Sequence, residues 1–122
     1  MKTIIAGSRD GVRFQDVEKA MEICGWVPTE VVSGKARGVD TMGERWSYER
    51  QIPIIDFPAD WDEHGKSAGY IRNTEMGDYA EALVAIWDGG SRGTMHMINI
   101  AKKKGLTVYV HDLNKDTYDK KN

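Results

Sequence analysis

Three glycine-rich segments carry most of the chemistry in this chain, and each follows a short apolar run and contains an arginine. Ile4-Ile5-Ala6 leads into Gly7-Ser8-Arg9-Asp10, Val31-Val32 into Ser33-Gly34-Lys35-Ala36-Arg37-Gly38, and residues 83–87 into Asp88-Gly89-Gly90-Ser91-Arg92-Gly93-Thr94. A strand, a glycine turn and a helix in succession converge backbone N–H groups on one point, where they can hold a phosphate. In the third segment the adjacent glycines admit close backbone approach, Arg92 offers a bidentate contact, and the Ser91 and Thr94 hydroxyls offer further hydrogen bonds. The same residues also describe a plain strand-to-helix turn capped by Thr94. In the second segment Asp40 either caps the helix that follows or holds a ribose hydroxyl. The first fits neither the G-x-G-x-x-G dinucleotide spacing nor the G-x-x-x-x-G-K-[ST] P-loop, so those patterns assign neither NAD nor ATP.

A fourth segment, residues 61–73, brings an aromatic, a lysine and an arginine together. Trp61 either stacks on a base or closes the core beneath a loop, Lys66 adds charge, and Arg72, followed by Asn73, reaches toward a phosphate or ribose. No serine or cysteine lies in a G-x-S-x-G elbow. His64, His96 and His111 lack metal-ligand spacing, and Asp60, Asp62 and Glu63 read as a hydrated loop, so neither a metal nor a cofactor is expected.

Periodicity supplies the elements that must position these residues. Residues 2–8 read as a first strand, and Phe14, Val17, Met21 and Cys24 form one helical stripe over residues 13–24, closed by Gly25. Residues 30–33 form a second strand and 40–50 a second helix, with Met42 and Trp46 inward. Residues 52–57 are a third strand, in which Pro53 suggests an edge position or a late start to pairing. A long loop spans residues 58–69. A helix over 68–79, a strand over 83–87, a helix over 94–104 and a strand over 107–110 complete the set. Lys102, Lys103 and Lys104 then sit against the C-terminal dipole of the last helix.

Alternating strands and helices predict an α/β fold: a single-domain Rossmann-like three-layer sandwich, with a mostly parallel five-stranded sheet and helices on both faces. All three glycine loops then lie at the carboxyl edge of the strands, where such sheets bind ligands. The domain is expected over residues 1–113, with a polar tail over 114–122 that frays.

Bulk properties narrow the class. With 122 residues, 40% hydrophobic and 30% charged, the chain has room for one ordinary globular domain. A formal charge of −2 argues against a broad nucleic-acid-coating face, although Arg9, Arg37, Arg72 and Arg92, four of the seven arginines, fall in or beside the loops. The single cysteine, Cys24, excludes an internal disulfide and suits a reducing compartment. No apolar run approaches the ~20 residues of a membrane span, so a cytoplasmic protein without membrane partners is expected.

Taken together, Gly7-Ser8-Arg9, residues 33–40, residues 65–73 and residues 87–94 resemble the YspA-like (YpsA-related) branch of the SLOG superfamily, over about residues 2–112. That superfamily is named for DNA-processing protein A and the cytokinin-activating phosphoribohydrolases. The resemblance implies a Rossmann-like fold, of bacterial or phage origin, that binds nucleotides or nucleotide-derived ligands over its glycine loops. It favours a homodimer. The phosphoribohydrolase relatives carry a P-G-G-x-G-T-x-x-E motif and an upstream arginine. Here Asp88 stands in place of the proline and Met97 in place of the glutamate, while Arg72 matches the arginine. Glu75 and Asp88 are the substitute carboxylates.

Three functions follow as expectations. The first is binding of a nucleotide or nucleotide-derived ligand, as sensor, sequestering or processing protein, with phosphates at residues 89–94 and 34–38. The second is an N-glycosidase, phosphoribohydrolase or deoxyribosyltransferase-like enzyme acting on nucleoside monophosphates, with Arg72, Glu75 and Asp88 as catalytic candidates. The third, disfavoured by the acidic total, is binding of single-stranded nucleic-acid ends.

Overall fold

Strands whose apolar residues point to both faces must be covered on both. In β1 (Lys2–Gly7), Ile4 and Ala6 pack on one side of the sheet and Ile5 on the other. In β4 (Ala82–Trp87), Leu83 and Ala85 likewise oppose Val84 and Ile86. The computed structural model describes residues 1–114, so residues 115–122, nearly all of the expected tail, lie outside the described residues.

Between the two central strands and around them run α1 (Phe14–Ile23), β2 (Glu30–Ser33), α2 (Val39–Glu49), β3 (Ile54–Asp56), α3 (Trp61–His64), a 3-10 turn (Gly65–Ser67), α4 (Ala68–Tyr79), α5 (Arg92–Lys103) and β5 (Thr107–Asp112). All strand pairs are parallel, in the order β3-β2-β1-β4-β5. Val17, Ala20 and Met21 of α1 and Val39 and Trp46 of α2 cover one face, with Ile5, Val31, Val84 and Ile86. Met76 of α4 and Met97, Ile98 and Ala101 of α5 cover the other, with Ile4, Val32, Leu83 and Ala85. This is the three-layer α/β sandwich expected from the alternation of elements. Winding outward from β1 proceeds through β2 to β3, after which the chain returns through α4 to β4 on the far side. The strand order therefore reverses between β1 and β4, and a crevice opens beyond their carboxyl ends.

Several local expectations need correction. Asp40 does not cap α2: Gly38 occupies the cap position and Asp40 is the second helical residue. Ser91, not Thr94, caps α5, its hydroxyl accepting the Thr94 N–H at 3.4 Å. The segment read as a loop over 58–69 contains α3, whose first turn is capped by Asp60 accepting the Glu63 N–H at 3.1 Å, and the 3-10 turn. β3 is shorter than read, because Pro53 has no N–H to pair. Its carbonyl still accepts the Val31 N–H at 2.9 Å, and β3 is an edge strand.

Leu83 is fully buried at the centre of the sheet. Leu83→Ala is expected to lower the unfolding free energy by about 2–5 kcal/mol, through lost apolar burial and the cavity it leaves. A urea unfolding curve checks this, with the midpoint falling and the slope unchanged.

Candidate functional site

Ser8 sits at the switch point and binds the surrounding turns to one another. Its N–H donates to the Ile86 carbonyl at 3.1 Å, its Oγ accepts the Asp88 N–H at 3.1 Å, and its carbonyl accepts the Val39 N–H at 3.2 Å. The residue is 1% exposed, so its role is to fasten the β1 turn to the end of β4 and the start of α2. Gly38 completes this junction. Its φ of 79° lies in the left-handed region, and a Cβ there would fall 2.5 Å from the Arg9 carbonyl oxygen.

The β2–α2 turn is built around a buried guanidinium. Arg72, on α4 and 8% exposed, donates through Nη1 to the Gly34 carbonyl and through Nε to Asn73 Oδ1 at 3.1 Å. Asn73 Nδ2 in turn donates to the Gly93 carbonyl at 3.2 Å and lies 3.2 Å from His96 Nδ1. A continuous hydrogen-bonded path thus runs from the β2 turn, through α4, to the first turn of α5. Gly34 is needed for it, since a Cβ would lie 2.6 Å from Arg72 Nη1 and 3.0 Å from Asp40 Oδ2.

Asp40 faces the same guanidinium and accepts the Ala36 N–H at 3.1 Å. Burial lifts its carboxyl to about 6, against the opposing pull of the Ala36 hydrogen bond and the charges of Arg72 and Arg9. Burial also lowers the pKa of Arg72, with Asp40 acting in the opposite sense. Outside the buried pair, Glu44 accepts from Ser33 Oγ at 2.6 Å and from Lys35 Nζ at 2.9 Å, which braces a turn whose Lys35 has a φ of 60°.

The β4–α5 turn is satisfied largely from within. Asp88 Oδ1 accepts the Gly90 N–H at 2.8 Å and the Ser91 N–H at 3.1 Å, and these bonds hold its carboxylate below the usual range. Trp87 Nε1 donates to the Ser91 carbonyl at 3.0 Å. Two amides that glycine spacing offers to a phosphate are therefore taken by Asp88.

Two adjoining cavities open at this edge. The first, of about 240 Å³, is lined among others by Gly7, Arg9, Ala36, Asp40, Arg72 and Asn73, and by Ser91, Gly93 and Thr94 on the α5 side. The second, of about 430 Å³, lies over the β2–α2 turn, at Gly34, Ala36 and Arg37. Arg9, Ala36, Trp61 and Arg72 line both, and Lys66 lines the first. Ser8, Ser33, Gly38, Asp88, Gly89, Gly90 and Arg92 line neither, Arg92 being exposed on the first turn of α5. Glu75 is exposed on α4 and also outside both linings. The exposed Arg37 pairs with Asp10 at 3.2 Å. Asp40 is the only carboxylate among the described residues of either wall. No group of three or more His, Cys, Asp or Glu side chains among the described residues could hold a metal ion, and no helix there is long and apolar enough to cross a membrane.

Tyr70, Met76 and Met97 also line the first cavity, although sequence reasoning did not select them as ligand contacts. Tyr70 lies two positions before Arg72 and left a signal only through that proximity. Met97, 1% exposed, puts an apolar thioether in the wall where the phosphoribohydrolase motif has its glutamate.

The chain is similar to the Gene 61 protein of Mycobacterium phage D29, with 42% identity over 84 residues, which is 64% of this chain and 67% of that relative. No solved structure gives a significant match. Residues 1–64, which carry β1, the Ser8 junction, the β2–α2 turn and Trp61, match the family described as YspA, cpYpsA-related SLOG. The chain belongs to that family.

Proposed function

We propose that this protein binds a nucleotide or nucleotide-derived ligand, with the ligand's phosphate in the cleft between the β2–α2 turn and the first turn of α5. Family membership supports a nucleotide-related role at a coarse level. The observation that carries the finer reading is Arg72, a guanidinium 8% exposed that lines both cavities while its own fold contacts occupy Nη1 and Nε. Nη2 lies 3.8 Å from where a Cβ on Gly69, another residue of the first wall, would stand. Arg9 and Lys66, both exposed, add positive charge along the same opening. A buried guanidinium such as that of Arg72 binds phosphate oxygens more strongly than the same group on an open surface, because water screens it less.

One observation favours a second reading, hydrolysis of the bond between base and ribose phosphate. Asp40 faces the cavity with a carboxyl near 6, so it can exchange a proton close to neutrality. Glu75 and Asp88 do not line the cavity. The binding reading expects no free base by chromatography after incubation with nucleoside monophosphates. Base release that Asp40→Asn abolishes would select the hydrolytic reading instead.

Isothermal titration with nucleoside mono- and diphosphates, ADP-ribose and cyclic nucleotides is expected to find saturable binding. Arg72→Gln should weaken it about 10–150-fold, the range for a lost hydrogen bond to a charged group. Because Arg72 also supports the fold, the exposed Arg9→Ala is the companion variant, expected to weaken binding by about tenfold or less without loss of stability. Silence of the unaltered protein across the panel contradicts the reading.

The Asp40 carboxyl predicts a pH dependence of stability. Its native pKa of about 6 exceeds the ordinary 3.8, so its favourable contribution is complete below about pH 4 and is lost as pH rises through 6. Asp40→Asn keeps an acceptor for the Ala36 N–H without that charge. From pH 4 to pH 7 the variant is expected to gain stability relative to the parent by on the order of 3 kcal/mol, read from paired urea curves.

A further inference from the structure

The mouth of the first cavity holds two aromatic side chains that the folded core does not use. Trp61 is 53% exposed and Tyr70 46% exposed, and neither joins the apolar cluster on either face of the sheet. Trp61 stands on α3, a four-residue helix with no buried residue, so packing of the domain does not require an indole there. A Cβ on Gly69, the residue before Tyr70, would come 3.6 Å from the indole Cη2, an ordinary contact. The Tyr70 ring is steadied edge-on against His96, with ring centroids 4.5 Å apart. Both rings line the first cavity, and Trp61 lines the second as well.

Resting on the proposed phosphate site, we infer that Trp61 and Tyr70 form the base subsite, and that the ligand enters phosphate first. Burial sets the direction, because Arg72 lies at the inner end and the aromatic rings at the solvent end. A nucleobase stacked at the mouth completes the apolar covering that the exposed indole lacks. Among the exposed residues of this wall, Arg9, Trp61, Lys66, Tyr70 and Gly93, none carries a side-chain carboxylate or amide to pair with the hydrogen-bonding edge of a base. Stacking accepts every base, because each has a π face. The ligand class is therefore a nucleoside phosphate recognised by the presence of its base and not by the identity of that base.

The test is isothermal titration of the four ribonucleoside 5′-monophosphates and ribose 5-phosphate into the unaltered protein, Trp61→Ala and Trp61→Phe. The nucleotides are expected to bind within about fivefold of one another and about tenfold or more tighter than ribose 5-phosphate. Trp61→Ala should bring them to the ribose 5-phosphate level while leaving ribose 5-phosphate itself unchanged, and Trp61→Phe should keep most of the gain. Nucleotides no tighter than ribose 5-phosphate, or unaffected by Trp61→Ala, would overturn the base subsite alone. An equal loss for ribose 5-phosphate in Trp61→Ala would also overturn it. Failure of all five compounds to bind the unaltered protein would overturn the phosphate site and the base subsite together.

Discussion

The arrangement of the cleft depends on one hydrogen-bonded path, from the Gly34 carbonyl through the Arg72 guanidinium and the Asn73 amide to the Gly93 carbonyl. These groups belong to the β2–α2 turn, the middle of α4 and the first turn of α5, elements that the parallel sheet brings to one edge but does not itself align. A guanidinium is planar and donates in fixed directions, so its contacts set the distance and angle between the turns. An ammonium in its place would supply charge without that geometry.

Holding such a group out of water is unfavourable unless charge and hydrogen bonds compensate. Burial, and to a smaller extent the charge of Arg9, act to lower the Arg72 pKa, and the Asp40 carboxylate opposes them. Asp40 is itself raised to about 6 by burial, so the pair is held at a cost that well-packed apolar residues would avoid. Retaining it makes physical sense where the charges meet a ligand, because fixed dipoles and charges need no reorganisation when an anion arrives. Ser8 supports the same preorganisation from below, with three hydrogen bonds to β4, the turn after β4 and the start of α2.

Elements governed by long apolar periodicity were legible from the residues. The helix over 68–79 and the strand over 30–33 end where the pattern places them, and the collection of glycine turns at one edge follows from parallel strands alone. Capping was less legible, because it depends on backbone angles that residue type only biases. Gly38 takes a φ of 79°, which moves Asp40 into the helix and turns its carboxylate toward Ala36 and Arg72. Ser91 and Thr94, three apart, could each start α5, and the turn closed by Asp88 decides for Ser91. The same competition explains why Asp88 and Ser8, polar residues in glycine turns, serve the turns and not the cavity. Trp61 was legible as an aromatic of two possible uses. Its place on a short, unburied helix outside both core clusters argues against the core-closing use.

The most direct measurement of the central claim is nuclear magnetic resonance of ¹⁵N-labelled protein, following the Arg72 Nε–H signal and the Gly34 and Gly93 amides while adenosine monophosphate is added. An anion seated in the cleft predicts that these signals, which report both walls, move together along one saturable curve. Signals that stay in place while others on the surface move would contradict the account.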